Sequence, residues 1–259
     1  MVDRQFSEPH LAALYDPQFG REAREDYRFY LPLIMSAGAV VDIGCGTGAL
    51  LHWARESGHA GRLTGLDPAA GMLEIARKRS DVEWVHGDLG SVAWDREFDL
   101  AVMTGHAFQV LVEDEQVRAS LASVYSALTP GGLFAFETRN PSARAWETWT
   151  PEHGAEFVDG NGNRVRRAVR VESPVDGDIV RFTATYSSDA WTQPETSHST
   201  LRFLGADRLL EFLGDAGFVV EEQFGDWDRS PLVDESPEII TLARRAPTSM
   251  SDRTRANVS

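Results

Sequence analysis

Three glycines close together in the first fifty residues could hold a nucleoside cofactor. Gly44, Gly46 and Gly48 follow a short apolar run in the sequence V-V-D-I-G-C-G-T-G. A glycine-rich loop between a buried strand and a helix turns sharply and lets backbone amides approach a ligand closely. With Ala49 the loop also satisfies the relaxed dinucleotide fingerprint G-x-G-x-x-G/A, so the loop alone is compatible with NAD.

Acidic residues around the loop distinguish between cofactors. Asp42 stands two residues before the first glycine, where a carboxylate would repel a pyrophosphate and attract the ammonium and sulfonium groups of S-adenosylmethionine. Asp67 ends the second predicted strand and can accept hydrogen bonds from both ribose hydroxyls. Asp88, in H-G-D-L, can accept one from the adenine amine while Met72 and Leu89 pack against the ring. Acidic residues after three successive strands therefore favour S-adenosylmethionine over NAD.

Candidate residues for chemistry on an acceptor follow the later strands. His106 lies after the fourth predicted strand, and its unperturbed pKa suits a general base near neutral pH. Local packing or hydrogen bonding explains this histidine equally well. Arg139 and Asn140 follow the fifth strand at the edge where open α/β sheets bind ligands. His198 is a second candidate base, although a solvated strand histidine explains it better.

Four tryptophans occur in segments that should cover this site, namely Trp146, Trp149, Trp191 and Trp227. An aromatic lining would suit an apolar, planar or cationic acceptor. Packing of a small core beneath an insertion explains these residues almost as well. Both interpretations stay open at the level of sequence.

The elements that must position these residues alternate between strand and helix. Hydrophobic periodicity predicts helices over 21–36, 49–57, 69–79 and 114–128, and strands over 39–43, 62–66, 82–86, 98–103 and 133–138. This alternation is typical of a Rossmann-like, mostly parallel sheet with helices on both faces.

The pattern changes after Asn140. Residues 165–171, 179–187 and 200–203 read as antiparallel strands separated by turns, before a helix at 206–216 and two strands at 219–224 and 239–243. We therefore expect an N-terminal helical cap (1–38), a cofactor-binding domain (39–140 and 205–246), an antiparallel β insertion serving as a substrate lid (141–204) and a disordered tail (247–259).

Composition and charge exclude several classes of function. The formal net charge of −15 opposes nucleic-acid binding, which draws most of its affinity from Lys and Arg on phosphates. The single cysteine, Cys45, rules out an intrachain disulfide and a multi-cysteine metal site, and we expect no metal. A signal-peptide pattern and an apolar run of about 20 residues are both missing, so a cytoplasmic protein without a membrane segment is expected. The oligomeric state stays open, and a homodimer is compatible with the sequence.

Taken in order, the motifs V-V-D-I-G-C-G-T-G, L-T-G-L-D-P-A-A-G-M-L, H-G-D-L, F-D-L-A-V-M and L-T-P-G-G resemble those of class I S-adenosylmethionine-dependent methyltransferases. The segments E-D-Y-R-F-Y-L-P-L-I and L-R-F-L-G-A-D-R-L-L are similar to a bacterial subgroup in which an antiparallel insertion covers the active site. Many members of that subgroup modify small metabolites. The resemblance implies a seven-stranded sheet with its last strand antiparallel, and transfer of a methyl group to an O or N atom of a small metabolite by in-line displacement.

The resemblance also completes the set of expected site residues. It places Tyr15 and Tyr30 near the methionine end of the cofactor, with Thr104 and His106 beside it. The expected cofactor-binding residues are Tyr15, Tyr30, Asp42, Gly44, Cys45, Gly46, Gly48, Asp67, Pro68, Met72, Gly87, Asp88, Leu89 and Thr104. The expected acceptor-binding residues are His106, Arg139, Asn140, Trp146, Trp149, Trp191 and His198.

Other functions are compatible with parts of this pattern. An NAD-dependent oxidoreductase would use the same glycine loop, and a non-methylating protein could bind S-adenosylmethionine without transferring its methyl group. A macromolecular methyltransferase is disfavoured by the acidic charge and by T-G-H-A-F, which stands where amino-methylating enzymes carry [DNS]-P-P-[YFW].

Overall fold

The computed structural model describes residues 2–20 and 24–246, so the predicted disordered tail at 247–259 lies outside the described residues. The strands are β1 (Ala39–Ile43), β2 (Arg62–Asp67), β3 (Glu83–His86), β4 (Phe98–Met103), β5 (Leu128–Arg139), β6 (Ala155–Val158), β7 (Arg164–Val171), β8 (Ile179–Ser187), β9 (Glu195–Arg202), β10 (Phe218–Phe224) and β11 (Glu238–Arg245). The α-helices are α1 (Arg4–Ser7), α2 (Pro9–Ala12), α3 (Tyr15–Gln18), α4 (Glu25–Ser36), α5 (Ala49–Glu56), α6 (Ala70–Ala76), α7 (Asp114–Ala127) and α8 (Ala206–Asp215). Across the described ranges, no helix is both long and apolar enough to cross a membrane.

Within the described residues, seven strands form the main sheet in the order β10-β11-β5-β4-β1-β2-β3. Strands β1 to β5 pair in parallel, whereas β11 runs antiparallel to both of its neighbours, β5 and β10. The predicted Rossmann-like, mostly parallel sheet with an antiparallel last strand is therefore confirmed. Its carboxyl edge gathers the ends of β1, β2 and β4, where the glycine loop (residues 44–48) and the predicted site residues begin.

The main sheet is covered on both faces, which explains the continuous apolar runs in its central strands. In β1, Val40 packs into the layer beneath α4 and α5, whereas its neighbour Val41 packs into the layer beneath α7 and α8. In β5, Ala135 faces the first layer and Phe136 faces the second. Successive side chains of a strand point to opposite faces, so a strand buried on both faces has no polar alternation.

Strands β6, β7, β8 and β9 form a second, antiparallel sheet, which we call the lid sheet. Residues 2–18, with helices α1 to α3, are called the N-terminal segment. The inner face of the lid sheet packs Val165, Ala184 and Tyr186 against Leu11 and Leu14 of this segment. The lid sheet therefore rests on the N-terminal helices rather than standing free.

The N-terminal segment contacts the lid sheet, the glycine loop and α6. The backbone amide of Gln5 donates to Ser197 Oγ of β9 at 3.0 Å. The hydroxyl of Thr47, within the glycine loop, donates to the Asp16 carboxylate at 2.7 Å. Helix α1 also packs against α6, where a Cβ on Gly71 would stand 2.7 Å from the carbonyl oxygen of Ser7. The N-terminal segment thus contacts both the lid sheet and the glycine loop.

The lid sheet departs from the sequence prediction in two places. Strand β6 was not predicted, and β9 begins at Glu195 rather than at residue 200. The inward positions of β9 are Ser197 and Ser199, which are buried and bonded to Gln5. A strand whose buried face is polar shows no apolar alternation, so its first half was misread as a turn.

Gly48 provides a test of local packing at the glycine loop. Gly48 and Gly46 both have positive φ, 74° and 55°, but a Cβ on Gly48 would stand 2.3 Å from the Trp84 ring, whereas one on Gly46 would meet nothing within 4 Å. We expect Gly48→Ala to lower the free energy of unfolding by about 1–3 kcal/mol more than Gly46→Ala, because only the former adds a clash to the shared backbone strain. Chemical denaturation of both variants measures the difference, and equal losses would contradict the role of Trp84.

Candidate active site

The glycine loop is held in place by the end of β2. The backbone amide of Gly44 donates to the carbonyl of Leu66 at 2.7 Å. Asp67, the last residue of β2, accepts the amide of Gly46 at 2.8 Å with one oxygen and the amide of Ala69 at 2.7 Å with the other. The predicted ribose-binding carboxylate therefore also fixes the loop and the start of α6, and it stays 7% exposed.

Asp42 differs from Asp67 because its carboxyl group is not fully satisfied. The side chain is 1% exposed, and Oδ1 has no hydrogen-bond partner among the described residues. Burial raises the pKa of Asp42 to about 8, and the nearby Asp67 and Glu137 carboxyls add to the effect. A buried, unpartnered carboxyl oxygen is costly unless a ligand supplies a donor. The group is therefore prepared for a cationic or hydrogen-bonding ligand atom.

The predicted residues Thr104 and His106 lie in a turn at the end of β4, which we call the His106 turn (residues 104–107). Gly105 and His106 adopt positive φ angles of 67° and 62°, an unusual conformation for a histidine. The turn touches the glycine loop, because a Cβ on Gly44 would stand 2.8 Å from Cβ of Ala107. His106 thus lies next to the glycine loop.

Glu137 of β5 holds the His106 turn and α4 together. It is completely buried and accepts the backbone amide of His106 at 2.8 Å and the hydroxyl of Tyr30 at 2.5 Å. Burial raises the pKa of Glu137 to about 8 despite these two bonds. Tyr30, predicted to contact the cofactor, instead has its hydroxyl engaged by Glu137 and packs edge-on against Trp227. It acts on the site through Glu137.

The imidazole of His106 is held by Glu238, the first residue of β11. His106 Nε2 lies 2.9 and 3.0 Å from the two carboxyl oxygens of Glu238. Burial lowers the pKa of His106 well below its usual value and raises the pKa of Glu238 to about 8. Burial thus favours the neutral form of each partner, and the pair carries one shared hydrogen bond at Nε2. When the hydrogen of that bond is on Nε2, the other ring nitrogen, Nδ1, has a lone pair and can accept a proton.

Arg24 and Tyr15 lie on the other side of the His106 turn. A Cβ on Gly105 would stand 3.5 Å from an Arg24 guanidinium nitrogen and 3.7 Å from the Tyr15 hydroxyl. Arg24 pairs with Asp26 and stacks over Tyr27 at 4.0 Å. Burial opposes the charged form of Arg24, but the Asp26 pair outweighs it and the pKa of Arg24 is raised. This places one firmly charged cation beside the His106 turn, close enough for its charge to oppose the rise that burial causes in the pKa of Asp42.

The residues predicted to hold an adenine ring surround the ends of β2 and β3. Asp88 is exposed and accepts the amide of Gly90 at 3.0 Å, while Gly87 donates to the carbonyl of Asp67. Met72 is buried with Phe6 and Tyr15 of the N-terminal segment. Leu89, which directly follows Asp88, packs into the layer beneath α7. The Cys45 thiol packs with Leu73 and Ala76. Burial raises the pKa of that thiol, so Cys45 is a packing residue of the loop.

On the acceptor side, Arg139 ends β5 opposite Glu238 in the register of β11. Its guanidinium lies 5.1 Å from the centre of the Trp149 ring, and Trp149 in turn packs against Phe182 of β8. Trp146 packs edge-on against Phe203 at 4.6 Å. The structure therefore brings these two predicted tryptophans to the neighbourhood of Arg139.

Three other predicted acceptor contacts lie elsewhere. The Asn140 amide nitrogen donates to the carbonyls of Asp234 and Ser236, and its oxygen accepts the amide of Ser142, so this side chain fixes a loop. Trp191 packs in the small core between the lid sheet and α2. His198 is exposed and pairs with Thr183 on the outer face of the lid sheet. None of the three is among the acceptor contacts proposed below.

Several site residues were missed at the level of sequence. Glu137 and Glu238 are single acidic residues in apolar strands, 101 positions apart, and nothing local shows that they meet. Gln109 and Arg167 are likewise single polar residues whose partners lie in other elements. The one available signal was an acidic residue at the carboxyl edge of β5, in F-E-T-R-N, which is the position that already singled out Arg139.

Comparison with known proteins gives consistent findings. Residues 40–132 match a family model described as a methyltransferase domain. The chain is 30% identical over 188 residues to the demethylmenaquinone methyltransferase of Listeria welshimeri, covering 69% of each protein. It is 34% identical over 106 residues to a cypemycin N-terminal methyltransferase of a Streptomyces species, covering 40% of this chain and 42% of that relative, less than half its length. The crystal structure of the sugar N-methyltransferase KedS8 from Streptoalloteichus has the same fold, with a TM-score of 0.71 and 20% identity over 90% of this chain and 91% of KedS8.

The buried carboxyl groups predict a pH-dependent stability. A carboxyl whose pKa is about 4 when unfolded and about 8 when folded stabilises the protein fully below pH 4, and this contribution is lost as the pH rises to 8. Asparagine does not ionise. We therefore expect the free energy of unfolding of Asp42→Asn, relative to that of the native protein, to increase between pH 5 and pH 9. Urea denaturation across that range tests it, with Asp81→Asn as control because Asp81 is exposed and its pKa is lowered by Arg79. Parallel curves for Asp42→Asn and the native protein would refute the buried ionisation.

Proposed function

Because the chain belongs to the class I S-adenosylmethionine-dependent methyltransferases, we propose that it methylates an oxygen or nitrogen atom of a small metabolite. His106 carries this proposal: it stands on a turn that touches the glycine loop, and Glu238 fixes its ring. By their names, the proteins reported above are a cypemycin N-terminal methyltransferase, a demethylmenaquinone methyltransferase and a sugar N-methyltransferase, so they support methyl transfer without agreeing on one acceptor. The net charge of −15 supports a small acceptor over a nucleic acid.

The residues present fit S-adenosylmethionine. The unpartnered Oδ1 of Asp42 would accept from the ammonium group, and Arg24 would pair with the carboxylate of the same methionine moiety. Asp67 would share its remaining lone pairs with the ribose hydroxyls, and Asp88 would accept from the adenine amine. Once bound, the cofactor supplies an activated methyl group on a sulfonium.

The chain's own residues then align the acceptor and hold its proton. Since the leaving group is already activated, positioning accounts for much of the rate, and a base is needed only for an acceptor that keeps its proton. His106 with Nε2–H donated to Glu238 would present its Nδ1 lone pair as that base. Glu137 would keep the turn in place through the His106 amide. The packed tryptophans beside Arg139 would exclude water.

Cofactor affinity tests the assignment of Asp42. We expect Asp42→Asn to weaken binding of S-adenosylhomocysteine by about 1.5–3 kcal/mol, because a hydrogen bond between charged groups is lost. Since burial holds the pKa of free Asp42 at about 8, binding near pH 7 should also release a proton from this group. Calorimetry in two buffers of different ionisation enthalpy measures both quantities.

Asp189→Asn is the matched control, because Asp189 is an exposed carboxylate on the turn between β8 and β9. It should leave both the affinity and the proton release unchanged. Native affinity in Asp42→Asn, with the same number of protons released, would remove Asp42 from the cofactor site.

The His106–Glu238 pair predicts a pH response of its own. We expect His106 to stay unprotonated at pH 6, and the Nε2–H form that donates to the Glu238 carboxylate to grow as the pH rises through about 8. Nitrogen NMR of the imidazole follows both events directly. In Glu238→Gln the second event should disappear, while His106→Ala should reduce turnover of any accepted substrate far more than cofactor affinity. A histidine that titrates near pH 6.5 would contradict the buried pair.

A further inference from the structure

Arg139 forms no direct ion pair with any residue that the structure describes. Its Nη1 donates to the Gln109 side-chain oxygen at 2.9 Å and its guanidinium stacks on Trp149, but no carboxylate of the described residues lies within ion-pair distance. The contrast with Arg202 is clear, since that arginine, the last residue of β9, pairs with both Asp114 and Asp178. The guanidinium of Arg139 therefore keeps donors available for a ligand.

The surroundings of Arg139 fix its direction. Gln109 is 1% exposed, and its amide nitrogen donates to the carbonyl of Arg202 at 3.1 Å. That bond orients the amide, so its oxygen faces Arg139. Trp149 restrains the guanidinium from the other side. A planar, restrained guanidinium is well suited to a carboxylate or phosphate, which it can bind through two parallel hydrogen bonds.

A second arginine reaches the same region from the lid sheet. Arg167 shares the inner face of β7 with Val165, and it donates to the Tyr186 hydroxyl at 3.2 Å. Burial lowers the pKa of Arg139, the Glu238 and Glu137 carboxyl groups oppose this effect, and the positive charge of Arg167 adds to it, so the Arg167 guanidinium lies close enough to act on Arg139. Among the described residues, Arg167 likewise has no ion-pair partner.

The carboxyl groups nearby do not neutralise this charge. Glu238 faces Arg139 across the strand pair, but its oxygens are engaged by His106, and burial raises its pKa to about 8. Glu137 is engaged by Tyr30 and the His106 amide, and its pKa is also raised to about 8. Near neutral pH, burial therefore favours the uncharged form of both carboxyl groups.

We propose that Arg139 and Arg167 form an anion-binding subsite, and that the methyl acceptor carries a carboxylate or phosphate group which this subsite holds beside His106. The inference rests on the proposed function and specifies its acceptor class. Gln109 orients the Arg139 guanidinium, and Trp149 offers an aromatic face to the body of the acceptor. The acceptor would be fixed at one end by charge, with its nucleophilic atom left toward the His106 turn.

Binding of simple probes to the full-length protein tests this subsite. The protein is first titrated with S-adenosylhomocysteine and then, when saturated, with benzoate, phenyl phosphate or the neutral analogue benzamide, by calorimetry. We expect benzoate or phenyl phosphate to bind at least ten times more tightly than benzamide, and the comparison of the two anions identifies which group the subsite prefers. Arg139→Gln and Arg167→Gln should each weaken anion binding about tenfold or more and leave benzamide unaffected. Arg139→Lys keeps the charge but loses the two parallel hydrogen bonds, so it should bind the anions more tightly than Arg139→Gln and less tightly than the native protein.

Arg181→Gln is the matched control, because Arg181 is an exposed arginine on the outer face of the lid sheet. It should bind every probe as the native protein does. Equal binding of benzoate, phenyl phosphate and benzamide, or native anion affinity in both glutamine variants, would overturn the subsite while leaving methyl transfer intact. If S-adenosylhomocysteine itself fails to bind, the proposed function falls, and the subsite falls with it.

Discussion

Burying carboxyl groups at the carboxyl edge of a sheet is unfavourable, and the active site is built around that cost. Asp42, Glu137 and Glu238 lie within one small region, and burial raises the pKa of each to about 8. Removing an ionised carboxylate from water costs far more than protonating it, so the free protein holds these groups largely neutral near pH 7. A positively charged ligand would favour the ionised form of these carboxyl groups, since it would supply an opposite charge close to them. The site is therefore electrostatically incomplete until the cofactor binds.

Glu137 shows how one such group organises several elements. It belongs to β5, yet it accepts hydrogen bonds from Tyr30 in α4 and from the backbone of His106 after β4. Removing it would leave two buried donors unsatisfied at once, which is costlier than losing the bonds themselves. The positive φ of His106 is stable for the same reason, because the bond to Glu137 holds the backbone in a conformation that a histidine rarely adopts alone.

The sequence predicted the frame of this site and part of its contents. The glycine loop, Asp67 and the parallel strands were readable because each depends on neighbouring residues and on a regular apolar pattern. Glu137, Glu238 and Arg167 were not, since each acts through a partner far away in the chain. Helices α1 to α3 have four residues each, too few for a periodic signal. Asn140 was misassigned because its place at a strand end fits a ligand contact and a loop anchor equally well, and only its three carbonyl partners decide between them.

The position of the N-terminal segment has a consequence for how the chain folds. Gln5 bonds to Ser197 and Ser199, which lie 192 and 194 residues further along. Contacts of such long separation close the largest loops in the molecule, and their entropic cost is recovered only after most other structure has formed. During synthesis α1 must wait for β9 before it can dock on the lid sheet, although α6 appears much earlier. The contact between α1 and the lid sheet is thus formed late, from two segments that are synthesised far apart in time.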